Sequence, residues 1–197
     1  MMGTGAKCKK AVFLDRDGTI NNDNGYVYQI EEFEILPGVI EGLHLLQDAG
    51  YLLIVVTNQS GIARGYYTEQ DFRILTGWMM ERFKTMGIQI AEVYYCPHLP
   101  NAPIPMYRKT CRCRKPGTGL YERAVKEFHI DLSKSYAIGD KIRDCSICEK
   151  TDCRGFLTGT KEESKVIEAV REGKYRHVQY EEDLYACALR ICEEGER

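Results

Sequence analysis

Short apolar runs alternate along this chain with stretches whose apolar residues recur every three or four positions, and no segment repeats. AVFLD (11–15) reads as a strand, and VIEGLHLLQDAG (39–50) as a helix that Gly50 stops. YLLIVVTN (51–58) is almost wholly apolar, as a strand covered on both faces of a parallel sheet would be. Thr68, followed by Glu69, Gln70 and Asp71, predicts an N-cap with an acidic first turn and a helix running to about Met86. IAEVYYC (90–96) is the next strand, LYERAVKEFHI (120–130) a helix and SYAIGD (135–140) a strand. IRDCSICEKT (142–151) has helical spacing, CRGFLTG (153–159) is a fifth strand, and two weaker helical stretches finish the chain. Strands alternating with helices imply right-handed crossovers and an α/β fold with a doubly wound parallel sheet. Ligands bind such sheets beyond the carboxyl ends of the strands.

Polar residues gather at that edge. Asp15 and Asp17 follow the first strand, Thr57 and Asn58 end the second, and Asp140 ends a later one. Asp-x-Asp-Gly is also an ordinary turn, in which Gly18 would supply the unusual backbone angles. Against that, Asp15 follows four apolar residues, where an ionised group is costly unless paired or bound to a metal. TNQSGIARG (57–65) offers a hydroxyl, an amide, an arginine and two glycines, a set suited to phosphate. Taken alone, it reads better as a polar loop with turn glycines. IGDKIRD (138–144) adds Asp140 and Asp144; with Asp15 these are oxygen ligands of the kind Mg²⁺ takes, although a helix-capping Asp is the plain alternative.

The length, 197 residues, suits one domain that buries about 70% of its unfolded surface and needs neither metal nor disulfide to make a core. We therefore expect a single domain over 1–197. A net charge of −2 argues against a general nucleic-acid or membrane-surface role. No apolar run approaches the length of a membrane span, and MMGTGAKCKK carries no apolar leader core, so a cytoplasmic protein is expected. Nine cysteines without a secretion signal favour metal ligands and free thiols over a disulfide framework.

Four soft ligands fall in one Pro-rich stretch: Cys96, His98, Cys111 and Cys113. Three thiolates and an imidazole complete a tetrahedral Zn²⁺ set, although the gaps are tighter than the usual two residues. A closed set of four leaves no position for water, so its role would be structural. Cys8, Cys145, Cys148, Cys153, Cys187 and Cys192 read as free thiols, the 145/148 pair at helical spacing on a core face. His44, His129 and His177 read as structural or surface residues, and Tyr66-Tyr67 and Tyr94-Tyr95 as packing.

DRDGTIN, TNQSGIARG, CRCRKPG and IGDK resemble, in order and spacing, the four motifs of the haloacid dehalogenase (HAD) phosphatases. With Gly25-Tyr26-Val27 and YYCPH they are similar to the heptose-1,7-bisphosphate 7-phosphatase family in particular, from about Lys10 to Thr160. Ser60, Ala63 and Arg64 separate that resemblance from the related histidinol-phosphate phosphatases. Two departures concern packing: Lys115-Pro116-Gly117-Thr118 lacks a further proline, and Cys145, Cys148 and Cys153 stand where the family has small apolar residues.

The resemblance implies a HAD-like Rossmannoid domain with a zinc loop at 96–113. The gap between the first strand and the next helix, about twenty residues, leaves no room for a separate cap domain. It also implies Mg²⁺-dependent hydrolysis of the 7-phosphate of D-glycero-D-manno-heptose 1,7-bisphosphate through an aspartyl-phosphate. By that resemblance Asp15 is the nucleophile, Asp17 the acid and then the base, and Thr57 and Lys115 stabilise the phosphoryl group. Mg²⁺ would be held by Asp15, the Asp17 carbonyl and Asp140, with Asp144 in support. Substrate contacts would come from Asp23, Asn24, Gly25, Tyr26, Asn58, Gln59, Ser60, Arg114 and Lys141, and the family suggests a monomer. Cys113→Ser is expected to impair stability and catalysis, and Lys115→Ala catalysis alone. The alternatives are a histidinol-phosphate phosphatase or another small phosphomonoesterase. A zinc-dependent nucleic-acid or protein-interaction module would use the basic cluster Arg108, Lys109, Arg112, Arg114 and Lys115, but leaves the aspartates unexplained.

Overall fold

A computed structural model describes residues 8–159 and 162–195. The stretch read for a leader lies outside them up to residue 7, as does Thr160 at the end of the resemblance. In chain order the elements are β1 (Ala11–Leu14), α1 (Val39–Asp48), β2 (Leu52–Asn58), α2 (Ser60–Arg64), α3 (Glu69–Thr85) and β3 (Ile90–Cys96). Then come α4 (Gly119–Phe128), β4 (Tyr136–Gly139), β5 (Arg154–Thr158), α5 (Ser164–Arg171), β6 (Val178–Glu181) and α6 (Leu184–Gly195). The strands form one parallel sheet in the order β3-β2-β1-β4-β5-β6.

The period of two along each strand explains the two layers of helices. On β1, Val12 and Leu14 face a core with Leu43 and Leu46 of α1, Leu75 and Met79 of α3, and Ile191 of α6. Ala11 and Phe13 face the other core, with Tyr121 and Ala124 of α4 and Val170 of α5. Each fully buried Leu, Ile or Phe contributes about 1.5–3 kcal/mol, so both faces must be covered. The doubly wound sheet expected from the sequence is therefore present.

Thr68 caps α3 as the sequence predicts: its hydroxyl accepts from Asp71 N at 3.1 Å while the Asp71 carboxylate accepts from Thr68 N at 2.8 Å. Three readings of local structure are corrected. The stretch 142–151 forms one 3₁₀ turn, Ile142–Cys145, followed by turns and not a helix. There Asp144, Cys145 and Cys148 fill space that Gly139 and Gly155 leave open. A sixth strand, β6, lies between the last two helices; only Val178 in it is buried, so it carries little apolar signal. The loop 57–65 also contains the short helix α2, too brief for a periodicity to register.

Cys145, Cys148, Cys153 and Cys187 are buried free thiols, Cys192 is half-buried and Cys8 exposed. His129 ends α4 in the left-handed conformation. Between β1 and α1 the described chain is a loop with one 3₁₀ turn, Ile30–Glu32, and no inserted domain. No helix among the described residues is long and apolar enough to cross a membrane.

Candidate active site

The sheet order makes β1 and β4 neighbours, and the chain leaves them in opposite directions. Such a switch point opens a crevice at the carboxyl ends of the strands. Asp15 follows β1 and Asp140 follows β4, so the two acids meet there although the sequence separates them widely. Asp15 N still donates to Ile138 O at 2.9 Å, after which the chain turns back: Arg16 O accepts from Ile20 N at 2.8 Å. Gly18 makes that turn at φ +86°, and a Cβ there would stand 2.5 Å from Asp140 Oδ2. Gly18 thus serves both the backbone angle and the approach of the second carboxylate.

A cavity of about 360 Å³ opens over this edge. Of the expected site residues, it is lined by Asp15, Asp17, Asp23, Gly25, Tyr26, Thr57, Asn58, Gln59, Ser60, Arg114, Asp140 and Lys141. Asn24 and Lys115 do not line it. Lys115 lies beneath the floor, with 1% of its side chain exposed, where Nζ is 2.9 Å from Asp15 Oδ1 and 2.8 Å from Asp144 Oδ1. It also donates to Val56 O at 2.6 Å. Asp144 accepts from Lys141 N at 2.9 Å, and the Asp144 side chain occupies the place a Cβ on Gly139 would take. Asn58 was expected to meet substrate. It lines the cavity, and its amide also grips the Lys115 backbone, donating to Lys115 O at 3.1 Å and accepting from Lys115 N at 3.0 Å.

Burial pushes the Asp15 carboxyl up to about 6, with Asp144 adding and Lys115 opposing. Burial likewise pushes Asp140 up to about 7, with the Asp15 and Asp144 charges adding to it. For Lys115, burial works against the ammonium, but Asp144 and Asp15 outweigh it and hold its pKa above the ordinary lysine value. Carboxylate oxygens of Asp15, Asp140 and Asp144 lie within 4.8 Å of one another. Lys115 faces Asp15 and Asp144, and Lys141 and Arg143 only partly offset the crowding at Asp140, so the donor set fits a hard divalent cation taking one or two carboxylates. The Asp17 carboxylate stands outside this cluster.

Three residues of the site were not found from the sequence. Arg16, between the two aspartates, has a wholly buried guanidinium that forks onto Asp17 Oδ1 from Nε (3.0 Å) and Nη2 (2.8 Å). Arg143 lines the cavity near Lys141, and its charge joins burial and Arg64 in holding the Arg114 pKa down. Tyr67 was read as packing; it is buried and donates to Gln59 Oε1 at 2.5 Å. An Arg between two Asp residues was a signal available in the sequence, whereas nothing in it singles out Arg143 or Tyr67.

Cys96, His98, Cys111 and Cys113 converge as expected. Their sulfurs are 3.6, 3.2 and 3.0 Å apart, and His98 Nδ1 lies 3.6 Å from Cys96 and 3.3 Å from Cys113. A tetrahedron with sulfur about 2.3 Å from a central Zn²⁺ has edges of roughly 3.8 Å, so the four donors converge as such a site requires and would spread by up to about 0.8 Å to take the ion. The loop is also tied to α3, because Glu69 accepts from Tyr107 Oη at 2.9 Å and from Tyr95 Oη. Arg114 follows the last ligand and donates to His98 O at 3.3 Å, so the cluster holds this cation at the cavity wall.

Residues 10–157 match the family model described as polynucleotide kinase 3 phosphatase. A D-glycero-beta-D-manno-heptose-1,7-bisphosphate 7-phosphatase of Haemophilus ducreyi is 51% identical over 142 residues, 72% of this chain and 78% of that protein. The enzyme of the same name from Photorhabdus laumondii is 50% identical over 134 residues, 68% of this chain and 71% of its own length. The crystal structure of D,D-heptose 1,7-bisphosphate phosphatase from B. bronchiseptica, complexed with magnesium and phosphate, superposes with a TM-score of 0.79 at 29% identity, covering 94% of this chain and 99% of that one. The chain therefore belongs to the polynucleotide kinase 3 phosphatase family of HAD phosphatases, among the heptose bisphosphate 7-phosphatases.

Proposed function

We propose that this protein removes the 7-phosphate of D-glycero-D-manno-heptose 1,7-bisphosphate, with Asp15 as nucleophile and Asp17 as acid and base. The observation that carries the reading is the buried Asp15–Lys115–Asp144 arrangement, with Asp140 beside it, under a cavity walled by Asp17, Thr57 and Arg114. Lys115 keeps Asp15 ionised at neutral pH against the burial that raises its pKa. An Asp15 carboxylate oxygen bonds to phosphorus as the bond to the sugar oxygen breaks, and Asp17 gives that oxygen a proton. Asp17, now ionised, takes a proton from water, whose oxygen attacks phosphorus and breaks the bond to Asp15, releasing phosphate. The Thr57 hydroxyl donates to a phosphoryl oxygen, supplying the electrostatic part of the catalysis.

Asp15, Asp140 and the Asp17 carbonyl would hold Mg²⁺, which when bound supplies positive charge to the phosphoryl oxygens. Cys96, His98, Cys111 and Cys113 would hold Zn²⁺ and order the loop that carries Arg114 and Lys115, for which structural zinc energies of about 10–16 kcal/mol are ample. Arg114, Lys141 and Arg143 give the wall a positive charge that suits a second phosphate. Asp23, Gly25, Tyr26 and Ser60 line the same cavity and would meet the sugar. We place the protein in the cytoplasm as a monomer; its free cysteines suit a reducing compartment.

The test is phosphate release, with and without Mg²⁺, from both anomers of the heptose bisphosphate, from histidinol phosphate and from a 3′-phosphorylated oligonucleotide. Release from a heptose bisphosphate is expected to exceed the others by orders of magnitude and to vanish in Asp15→Asn with the fold intact. Faster turnover of histidinol phosphate or of the oligonucleotide would overturn the substrate assignment.

A further inference from the structure

Gln59 was expected to meet sugar hydroxyls, yet it is 2% exposed and its side-chain oxygen and nitrogen are both engaged inside the protein. Its Nε2 donates to Asp17 Oδ2 and to Thr57 Oγ1, each at 2.9 Å. Its Oε1 accepts from Tyr67 Oη at 2.5 Å and lies 3.5 Å from Arg16 Nη2. An amide turned by 180° keeps its shape but exchanges its donor and acceptor ends, so its neighbours must decide between the two. Here they do. The Arg16 guanidinium has only donors, so the amide oxygen must face Arg16, which turns the nitrogen to Asp17 Oδ2.

Two consequences follow at the cavity. Thr57 Oγ1 receives an N–H from Gln59, which leaves its own proton to donate elsewhere, and Thr57 lines the cavity. Asp17 receives donors on both oxygens: Arg16 and Asn21 on Oδ1, Arg16 and Gln59 on Oδ2. Its carboxylate plane is thereby set.

Tyr67 is itself held firmly. Its ring stacks on Tyr28 with centroids 5.1 Å apart and planes 8° from parallel. It lies against α2 where Gly61 has no side chain, and a Cβ at Gly61 would run into the ring. Burial raises its pKa well above that of an ordinary tyrosine, so the hydroxyl keeps its proton and stays a donor.

We propose that Tyr67 is a positioning residue of the phosphatase reaction, acting through Gln59 to aim the Asp17 carboxylate and the Thr57 hydroxyl together at the phosphoryl group. The proposal rests on the reading of Asp17 as acid and base and of Thr57 as phosphoryl donor. It differs from a packing role because the hydroxyl, and not the ring, carries the effect.

The test compares the full-length protein, its Tyr67→Phe and Gln59→Leu variants and the double variant, with Mg²⁺. Substrates are the heptose bisphosphate and 4-nitrophenyl phosphate, whose leaving group departs without needing a proton. Tyr67→Phe is expected to lower kcat on the sugar phosphate about tenfold, as loss of one hydrogen bond would, with KM changed less than about twofold. On 4-nitrophenyl phosphate it should give a burst of nitrophenolate near one per folded site and then slow turnover, because Asp17 is misaimed for the water step. The burst counts working sites, so a partly unfolded variant is corrected for directly. Adding Tyr67→Phe to Gln59→Leu should cost nothing further, since the path through the amide is already gone. Unchanged kcat, a change confined to KM, or additive losses in the double variant would overturn the inference. If the unaltered protein hydrolysed neither substrate, the reading of the site would fail and take the inference with it.

Discussion

Lys115→Met separates a purely catalytic lysine from one that also holds the fold together. The ammonium is buried and touches Asp15 Oδ1, Asp144 Oδ1 and Val56 O at 2.9, 2.8 and 2.6 Å. Methionine keeps most of the apolar stem, so little cavity is created. The charge is lost, however, and two buried carboxylates then face each other without a counter-ion. Removing one partner of a buried ion pair costs about 3–5 kcal/mol. For a domain of this length each kcal/mol shifts Tm by about 2–4 °C, so a fall on the order of 10 °C is expected. The cost must depend on pH. Burial and Asp144 raise the folded-state pKa of Asp15, and losing Lys115 removes the charge that opposes them. A raised acid contributes stability below its unfolded pKa and loses it as pH rises through the folded value. The deficit should therefore be small near pH 5 and largest near pH 8. Thermal and urea melts at both pH values, in EDTA, measure it; Lys115→Met/Asp144→Asn should recover part of the stability but no turnover. A variant that lost activity yet melted within about 2 °C of the parent at pH 8 would refute the reasoning and restore the expectation that Lys115→Ala affects catalysis alone.

Two further outcomes are expected. In the metal-free protein Asp15 and Asp140 carry pKa values raised to about 6 and about 7, so their ionisation costs stability as pH rises through that range. Added Mg²⁺ should accordingly raise Tm more at pH 8 than at pH 5; an equal increment at both would show that these acids do not hold the ion. Cys113→Ser should lower bound zinc measured by atomic absorption from about one per chain, lower Tm, and reduce kcat with a rise in KM, because Arg114 next to the cluster donates to His98 O. Full activity in a zinc-free variant would end the idea that the cluster positions that cation.

The local grammar of the chain was legible in its sequence. Continuous apolar runs marked β1 and β2 because a strand covered on both faces has no polar side to show. Thr68 and Asp71 announced the start of α3 because the cap that satisfies its first amides is made within four residues. The grouping of Asp15, Thr57 and Asp140 at one edge, and of the four soft ligands in one loop, followed from strand order and spacing alone. The tertiary structure decided which side chains serve which others. Asp15 and Lys115 are 100 positions apart, and nothing local reveals that this lysine lies under the floor of the cavity, between two acids. Arg16 turns inward because the chain leaves the strand after Leu14 and the alternation of faces stops there. Gln59, Asn58 and Tyr67 are polar residues of a loop in the sequence, and the folded chain makes them holders of Asp17, Lys115 and Thr57. A buried polar atom takes whatever partner packing brings within hydrogen-bonding reach, and that partner is chosen by the fold, not by the neighbours in the chain.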